Sequence, residues 1–238
     1  MDFEQGIIVA GDQGEGNGLT QLSYPQGVVV DQLGTVYVAD GWNHRIMRWA
    51  NGAKQGIVIV DGNDENGSLY VVDSGKNEVR RYRRGESQGT VVAGGNGREN
   101  RLDQLSFPRY VFVDRDHSVY VSEWRNHRVM KWVEGAKQGI IVAGDQGQGN
   151  GLTQLSYPNG VVVDQLGTVY VADAGNDRIM RWPNGAKQGS VIVGGNGRGG
   201  QSNQLNVPTG LSFDRHGNLY VVDYGNHRVQ KFNIESNK

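Results

Sequence analysis

The chain repeats one short phrase: an apolar strand, then an acid, then a turn that usually carries a basic residue. The phrase occurs five times, and its acids are Asp40, Asp73, Glu123, Asp173 and Asp223. The first two acids are 33 residues apart, and each later spacing is 50 residues. Self-similarity at such a period is typical of repeat architectures, in which each repeat packs against its neighbours to form a continuous core.

Composition limits the class of protein. The 238 residues include 24 basic and 25 acidic side chains, and this net charge of -1 gives no overall field that would attract nucleic acid or an anionic membrane. There is no cysteine, which excludes disulfides and thiolate metal sites and leaves the cellular compartment open. Because no apolar run has the length of a membrane span and residues 1–11 lack signal-peptide character, we predict a single soluble domain over residues 1–238.

Each full repeat contains four short apolar segments. In the copy at residues 138–189 they read GIIVAG, GVVVD, TVYVAD and RIMRW, separated by Gly, Asn, Pro or Asp. This pattern predicts one blade of an all-β propeller, a fold in which four-stranded sheets pack face to face. An aromatic residue nine positions after each acid is expected to lie between blades, namely Trp49, Tyr82, Trp132, Trp182 and Phe232.

Three strings carry a family resemblance: Pro25-Gln26-Gly27-Val28, then Tyr37-Val38-Ala39-Asp40, then Asn43-His44-Arg45, which the fifth copy restates as Asn226-His227-Arg228. The pattern resembles the NHL-repeat family of β propellers over essentially the whole chain. The resemblance implies a toroid of four-stranded blades, and the repeats predict five of them. Residues 6–11 read as a fourth strand that the last copy lacks. We therefore expect the N-terminal strand to complete the last blade and close the ring.

The short first spacing indicates that one blade lacks a strand. The segment before residues 57–60 has the same sequence as the segment from residue 184 that precedes a fourth strand. Residues 57–60 nevertheless lead directly into the second strand of the following repeat, as an inner strand would. We predict that residues 57–60 form the inner strand of the second blade and leave the first blade three-stranded. The alternative, an outer strand of the first blade, stays open. An unpaired blade edge is a candidate contact for a homo-oligomer or an added peptide strand.

Two copies are nearly identical. Residues 5–56 and 138–189 agree at 46 of 52 positions, which indicates a recent duplication or an engineered or reconstructed propeller with no native ligand. Three of the differences fall in one turn, where Gly41, Trp42 and His44 are replaced by Ala174, Gly175 and Asp177. A turn that varies while its scaffold does not is expected to be exposed.

An arginine follows four of the five acids by five residues. The pairs are Asp40 with Arg45, Glu123 with Arg128, Asp173 with Arg178, and Asp223 with Arg228. We interpret them as structural, with the carboxylate accepting turn N–H groups and the arginine bracing the turn. An element present in four copies is poor evidence for catalysis, so we predict no catalytic residue among them.

The same turns hold the best candidates for binding, which are Trp42, His44, Trp124, His127, Tyr224 and His227. Exposed aromatic side chains on a rigid scaffold are typical anchors for a partner. A metal shared by the histidines is not expected, because zinc needs ligand nitrogens about 2.0–2.1 Å away and turns of different blades lie farther apart. We predict no metal and no cofactor.

These features favour a non-catalytic propeller scaffold that binds a protein or peptide through one face of the ring. The resemblance also implies two alternatives, a peptide-amidating-lyase-like metalloenzyme and an RNA-binding propeller. No repeat carries an unrepeated set of His, Tyr and Arg, which disfavours the lyase. The near-neutral charge disfavours RNA, although one local basic run exists at Arg80, Arg81, Arg83 and Arg84.

Overall fold

The computed structural model describes residues 10–11, 13, 15–23, 25–30, 35–40, 43, 45–50, 52–59, 68–83, 86–213, 218–226 and 228–233. Over these residues the chain is all-β, with antiparallel strands, short 3-10 turns and no α-helix. None of the described segments forms a helix long and apolar enough to cross a membrane. The chain divides into two compact units, Met1–Leu69 with Tyr82–Gly89, and Tyr70–Arg81 with Thr90–Lys238. The single domain over residues 1–238 stays a prediction.

The first unit contains one antiparallel sheet of four strands in the order β1-β2-β3-β4. These strands are β1 (Pro25–Val30), β2 (Val36–Asp40), β3 (Arg45–Trp49) and β4 (Ile57–Ile59). Val38, Met47 and Trp49 are buried and pack with Leu22 and Ala10. The sheet is a simple meander, in which each strand pairs with the next one along the chain.

The position of β4 corrects the prediction for residues 57–60. Residues 57–59 are not the inner strand of the second sheet; they pair with β3, with Arg48 opposite Ile57 and Met47 opposite Val58. The turn sequence that precedes β4 also precedes the outer strand of the near-identical copy. In that copy Arg181 stands opposite Ser190, which is the register equivalent to Arg48 opposite Ile57. A local hairpin closes a short loop at low entropic cost, so the turn decides the pairing. The first sheet therefore has four strands, and the edge expected there for a homo-oligomer or peptide strand is covered.

Among the described residues, four further antiparallel sheets belong to the second unit, except for the strand-end residues Leu69 and Tyr82, which belong to the first unit. The first of these sheets has three strands among the described residues, and the others have four, four and three. The strands are β5 (Leu69–Asp73), β6 (Glu78–Tyr82) and β7 (Thr90–Gly94); β8 (Pro108–Val113), β9 (Val119–Glu123), β10 (Arg128–Trp132) and β11 (Ile140–Ala143); β12 (Pro158–Val163), β13 (Val169–Asp173), β14 (Arg178–Trp182) and β15 (Ser190–Gly194); and β16 (Pro208–Phe213), β17 (Asn218–Asp223) and β18 (Arg228–Asn233). The predicted pairing of residues 6–11 with the last sheet involves residues 6–9, which lie outside the described part of the chain.

Consecutive sheets of the second unit bury one another. Every residue of β9 and of β13 is buried, because each of these strands lies between two sheets. Trp132 packs in a cluster with Val79 of the preceding sheet, and Trp182 packs in a cluster with Tyr120. The predicted placement of these two tryptophans between sheets is confirmed. Burial of such large rings is a major part of the favourable free energy of folding.

The tight fit between Trp182 and Gly189 yields a test of this packing. A Cβ at Gly189 would lie 2.7–2.9 Å from three ring carbons of Trp182, and this ring is buried on all sides. We expect Gly189→Ala to lower the free energy of unfolding by about 1–3 kcal/mol, because the ring cannot move away. Urea unfolding followed by tryptophan fluorescence measures the change.

Gly200 supplies the matched control. A Cβ there meets only the Asn226 side chain, at 3.9 Å, so Gly200→Ala is expected to leave stability unchanged within about 0.5 kcal/mol. Equal stability of the two variants would contradict the packing described for Trp182.

Candidate functional site

The acid at the end of β13 shows what the repeated acid–arginine pair does. Asp173 is fully buried, and its carboxylate accepts hydrogen bonds from the Ser156 amide at 2.6 Å, the Asn176 side chain at 2.8 Å and Arg178 Nε at 2.7 Å. Arg178 Nη1 in turn donates to the Asn150 carbonyl at 2.7 Å. The carboxylate and the guanidinium together fasten the glycine-rich loop at residues 148–156 to the turn after β13.

The same arrangement surrounds three further acids, Asp40, Glu123 and Asp223. Their ion pairs with the arginine five residues on are 2.6–2.7 Å long. The second repeat departs from it, because Glu78 stands at the arginine position and pairs with Arg80 at 2.6 Å. There Asp73 accepts a hydrogen bond from the Lys76 amide, and about a third of its side chain, 35%, is exposed.

Burial raises the pKa of these acids and hydrogen bonding lowers it, and the balance between the two effects differs from acid to acid. Burial raises the pKa of Glu123 and of Asp173, and it outweighs the arginine beside each of them. At Asp40 and Asp223 burial also acts to raise the pKa, but the combined hydrogen bonds outweigh it and the pKa is lowered. All four carboxylates have no exposed surface, so none is placed to exchange protons with a substrate.

The contrast between Asp173 and Asp73 tests the structural role. Asp173→Ala leaves the side chain of Arg178, which is 6% exposed, without its buried counter-charge. We expect a loss of about 3–5 kcal/mol in the free energy of unfolding. Asp73→Ala removes a partly exposed carboxylate and is expected to cost less than about 1 kcal/mol. Similar losses in the two variants, measured by urea unfolding, would contradict the role assigned to the buried network.

His127, a predicted binding residue, links one repeat to the next. Its backbone is in the left-handed region, with φ of 53°, and its Nδ1 accepts a hydrogen bond from the Tyr157 amide at 3.1 Å. The equivalent residues Asn77 and Asp177 use Oδ1 to accept the amide of Phe107 and of Val207, at 2.9 and 2.8 Å. All three side chains therefore perform the same structural task.

Burial lowers the pKa of His127 below its ordinary value of 6.5. The folded chain consequently keeps this imidazole neutral at a pH where the unfolded chain binds a proton. Its contribution to stability is complete above pH 6.5 and is lost as the pH falls toward the lowered pKa of the folded state.

The second repeat has Asn77 at the position of His127. The substitution His127→Asn therefore removes the titrating imidazole and keeps an acceptor for the Tyr157 amide. We expect the free energy of unfolding of the wild type to fall more steeply than that of His127→Asn as the pH is lowered from neutrality to about pH 5. Carboxylates titrate equally in both chains and cancel in the difference. Parallel pH profiles from chemical unfolding would contradict a neutral, buried His127.

Trp124, another predicted binding residue, lies in a group of aromatic rings. Its ring centroid is 4.5 Å from that of Tyr157 and 6.0 Å from that of Phe107. Phe107 and Tyr157 have left-handed backbones, with φ of 54° and 51°, in the residue before a proline. Side chains seldom adopt this conformation, and here amide hydrogen bonds to Asn77 and His127 hold it. All three rings are half-buried and held on a rigid framework.

Three arginines surround these rings. The guanidinium carbons of Arg98, Arg109 and Arg125 lie 5.2, 5.4 and 5.4 Å from the centre of the Phe107 ring, and Arg109 also lies 5.5 Å over Trp124. All three side chains are exposed, and none forms an ion pair with a described residue. We call the six residues Arg98, Phe107, Arg109, Trp124, Arg125 and Tyr157 the aromatic–arginine cluster.

Sequence reasoning found only Trp124 of this cluster. The signal that was missed is the comparison of copies: the fourth repeat has Gln148, Asn159 and Gly175 where the third has the three arginines. The prediction that no repeat carries an unrepeated set of His, Tyr and Arg did not address these arginines, because it concerned the three residue types together.

The remaining predicted binding residues are not brought into this cluster. Tyr224 is 65% exposed and makes no ring contact with a described residue. Trp42, His44 and His227 lie outside the described residues. No group of three His, Asp or Glu side chains suited to hold a metal ion occurs within the described ranges.

The NHL repeat model matches the chain at residues 22–48, 155–181 and 205–232. The chain thus contains NHL repeats, and the resemblance seen in the sequence is confirmed. No curated protein matches the chain significantly.

Solved structures with the same fold differ widely in role. An auxiliary nutrient binding protein from Bacteroides thetaiotaomicron superposes with a TM-score of 0.67 at 16% identity over 89% of this chain and 59% of its own length. The nidogen/laminin complex gives a TM-score of 0.67 at 18% identity over 90% and 82%. A streptogramin B lyase gives 0.60 at 14% identity over 90% and 70%. At such identities the similarity shows the fold alone, and the chain spans about three fifths of the nutrient binding protein.

Proposed function

We propose that this NHL-repeat chain is a non-catalytic, five-bladed propeller scaffold, closed by its N-terminal strand, that binds a protein or peptide through the aromatic–arginine cluster. The observation that carries the proposal is the contrast between the repeated and the unrepeated parts of the molecule. The acids, arginines and linking side chains that recur are engaged in holding turns and loops. The cluster occurs once among the described residues, with five of its six members in the third repeat, and its arginines are exposed.

The geometry of the cluster supports binding. Half-buried aromatic rings offer apolar area with few rotatable bonds, and arginine and aromatic residues dominate the binding energy of protein interfaces. The backbone of Phe107 is held at both sides, by Asn77 Oδ1 on its amide and by the Trp124 amide on its carbonyl at 3.1 Å. Because the rings are already in place, a partner does not have to order them on binding. The nidogen/laminin complex is a precedent for this fold in a protein assembly.

Selection from a random displayed-peptide library tests the function. We expect the purified chain to enrich peptides whose affinity falls by a factor of about 30 or more in Trp124→Ala, as for the loss of an interface hot spot. Alanine occurs naturally at the equivalent Ala174, so this substitution is compatible with the turn.

Tyr224→Ala is the matched control. It removes an exposed aromatic ring from the equivalent turn of the fifth repeat, away from the cluster contacts. Affinity for the selected peptides should stay within about twofold of the wild type, since scattered surface substitutions have little effect. If no peptide is enriched, or if the enriched peptides bind Trp124→Ala as tightly as the wild type, the proposal is wrong.

A further inference from the structure

Arg98 differs from Arg198, its counterpart two repeats later, in the residue that its guanidinium faces. Arg198 Nε donates to Asp177 Oδ2 at 3.1 Å, in an ion pair that joins residues 21 apart. The residue 21 positions before Arg98 is Asn77, which is neutral. Arg98 therefore lacks the carboxylate that its counterpart has, and its guanidinium lies over Phe107 instead.

Three arginines in the second and third repeats form ion pairs within the chain. Arg81 pairs with Glu134 at 2.7 Å, Arg80 pairs with Glu78, and Arg101 pairs with Asp103 at 2.7 Å. Within the basic run that is densest in the sequence, Arg80 and Arg81 are thus paired. The three arginines of the cluster converge instead on one ring, and none of them forms an ion pair with a described carboxylate.

A guanidinium stacked over an aromatic face keeps its N–H donors available at its edges. These donors have a fork geometry that matches carboxylate oxygens, and the contact with the ring limits the motion of the side chain. The adjoining rings of Trp124 and Tyr157 supply apolar area beside the donors. The combination fits a ligand that presents carboxylates next to an apolar side chain.

We propose that the aromatic–arginine cluster binds an acidic peptide segment, with Arg98, Arg109 and Arg125 engaging Asp or Glu carboxylates and the rings contacting a neighbouring apolar residue of the peptide. This inference rests on the proposed binding function and specifies its ligand. The cluster suits a compact anionic segment better than a nucleic acid, because nucleic-acid affinity requires several phosphates along a basic track. Here Arg81 and Arg101 are paired with carboxylates, and the whole chain has a net charge of -1.

The test uses a fluorescein-labelled peptide that alternates glutamate with glycine and carries one central leucine. Its partners are the same peptide with each glutamate replaced by glutamine, and an oligouridylate of equal charge. Binding is measured by fluorescence anisotropy at low and at high salt. We expect the glutamate peptide to bind the wild type, to lose affinity with added salt, and to bind about a hundredfold more tightly than the glutamine peptide.

Two kinds of variant introduce residues that another repeat of this chain has at the equivalent position. Arg98→Gln and Arg109→Asn copy the fourth repeat, and each is expected to weaken binding about three- to tenfold. Asn77→Asp copies Asp177 and keeps the hydrogen bond to the Phe107 amide, but it gives Arg98 an internal carboxylate; a loss of about three- to tenfold is expected. Arg198→Gln, the control, breaks an ion pair outside the cluster and should leave the affinity unchanged.

The inference is overturned if the glutamine peptide binds as tightly as the glutamate peptide, if the oligouridylate binds more tightly, or if Arg98→Gln and Asn77→Asp bind like the wild type. Melting temperatures within a few degrees of the wild type verify that the variants fold. Peptides from the random library separate the two proposals. If the selected peptides lose affinity in Trp124→Ala, yet contain no excess of Asp or Glu and bind Asn77→Asp as tightly as the wild type, the proposal of an acidic ligand is wrong and the proposal of a binding function stands.

Discussion

The buried carboxylate that ends the second strand in four of the five repeats is the interaction on which those repeats depend. It accepts one backbone amide, one asparagine side chain and one arginine, and the arginine carries the contact on to carbonyl groups of the glycine-rich loop. A buried charge is tolerated only when its partners satisfy it, and removing one partner leaves a buried polar group unpaired. The loop and the turn are consequently held as one body in four of the five repeats.

This rigidity explains why function can reside in a few substitutions. A second set of contacts, from Asn77, His127 and Asp177 to the amide of the next loop, places one residue of that loop in a left-handed conformation that few side chains adopt. In the third repeat this residue is Phe107, and the turn beside it carries Trp124. The third and fourth repeats share this framework, so arginines in place of Gln148, Asn159 and Gly175 create a charged aromatic surface without a new fold.

Much of the fold follows from patterns along the chain. The four apolar segments, the acid, the arginine and the tryptophan between sheets each predict a local element, and the structure contains them. The assignment of residues 57–60 was wrong, because their pattern suits an inner and an outer strand equally and only the hydrogen bonds of β4 to β3 distinguish the two. Binding by His127 stays a prediction, and the sequence did not show that its imidazole accepts a backbone hydrogen bond, a role that amide and carboxylate side chains fill elsewhere.

The sequence by itself determined the period, the all-β class, the NHL resemblance and the acid–arginine pairs, since each depends on residues that are close in the chain or recur at a constant interval. Tertiary structure alone decided which strand borders β3, which side chain each arginine faces, and that Arg98, Arg109 and Arg125 meet around one ring. The physical reason is that periodicity encodes the local hydrogen bonding and burial of a repeat. The net charge of a surface depends instead on which ions lie within a few ångströms, and residues far apart in the chain supply them.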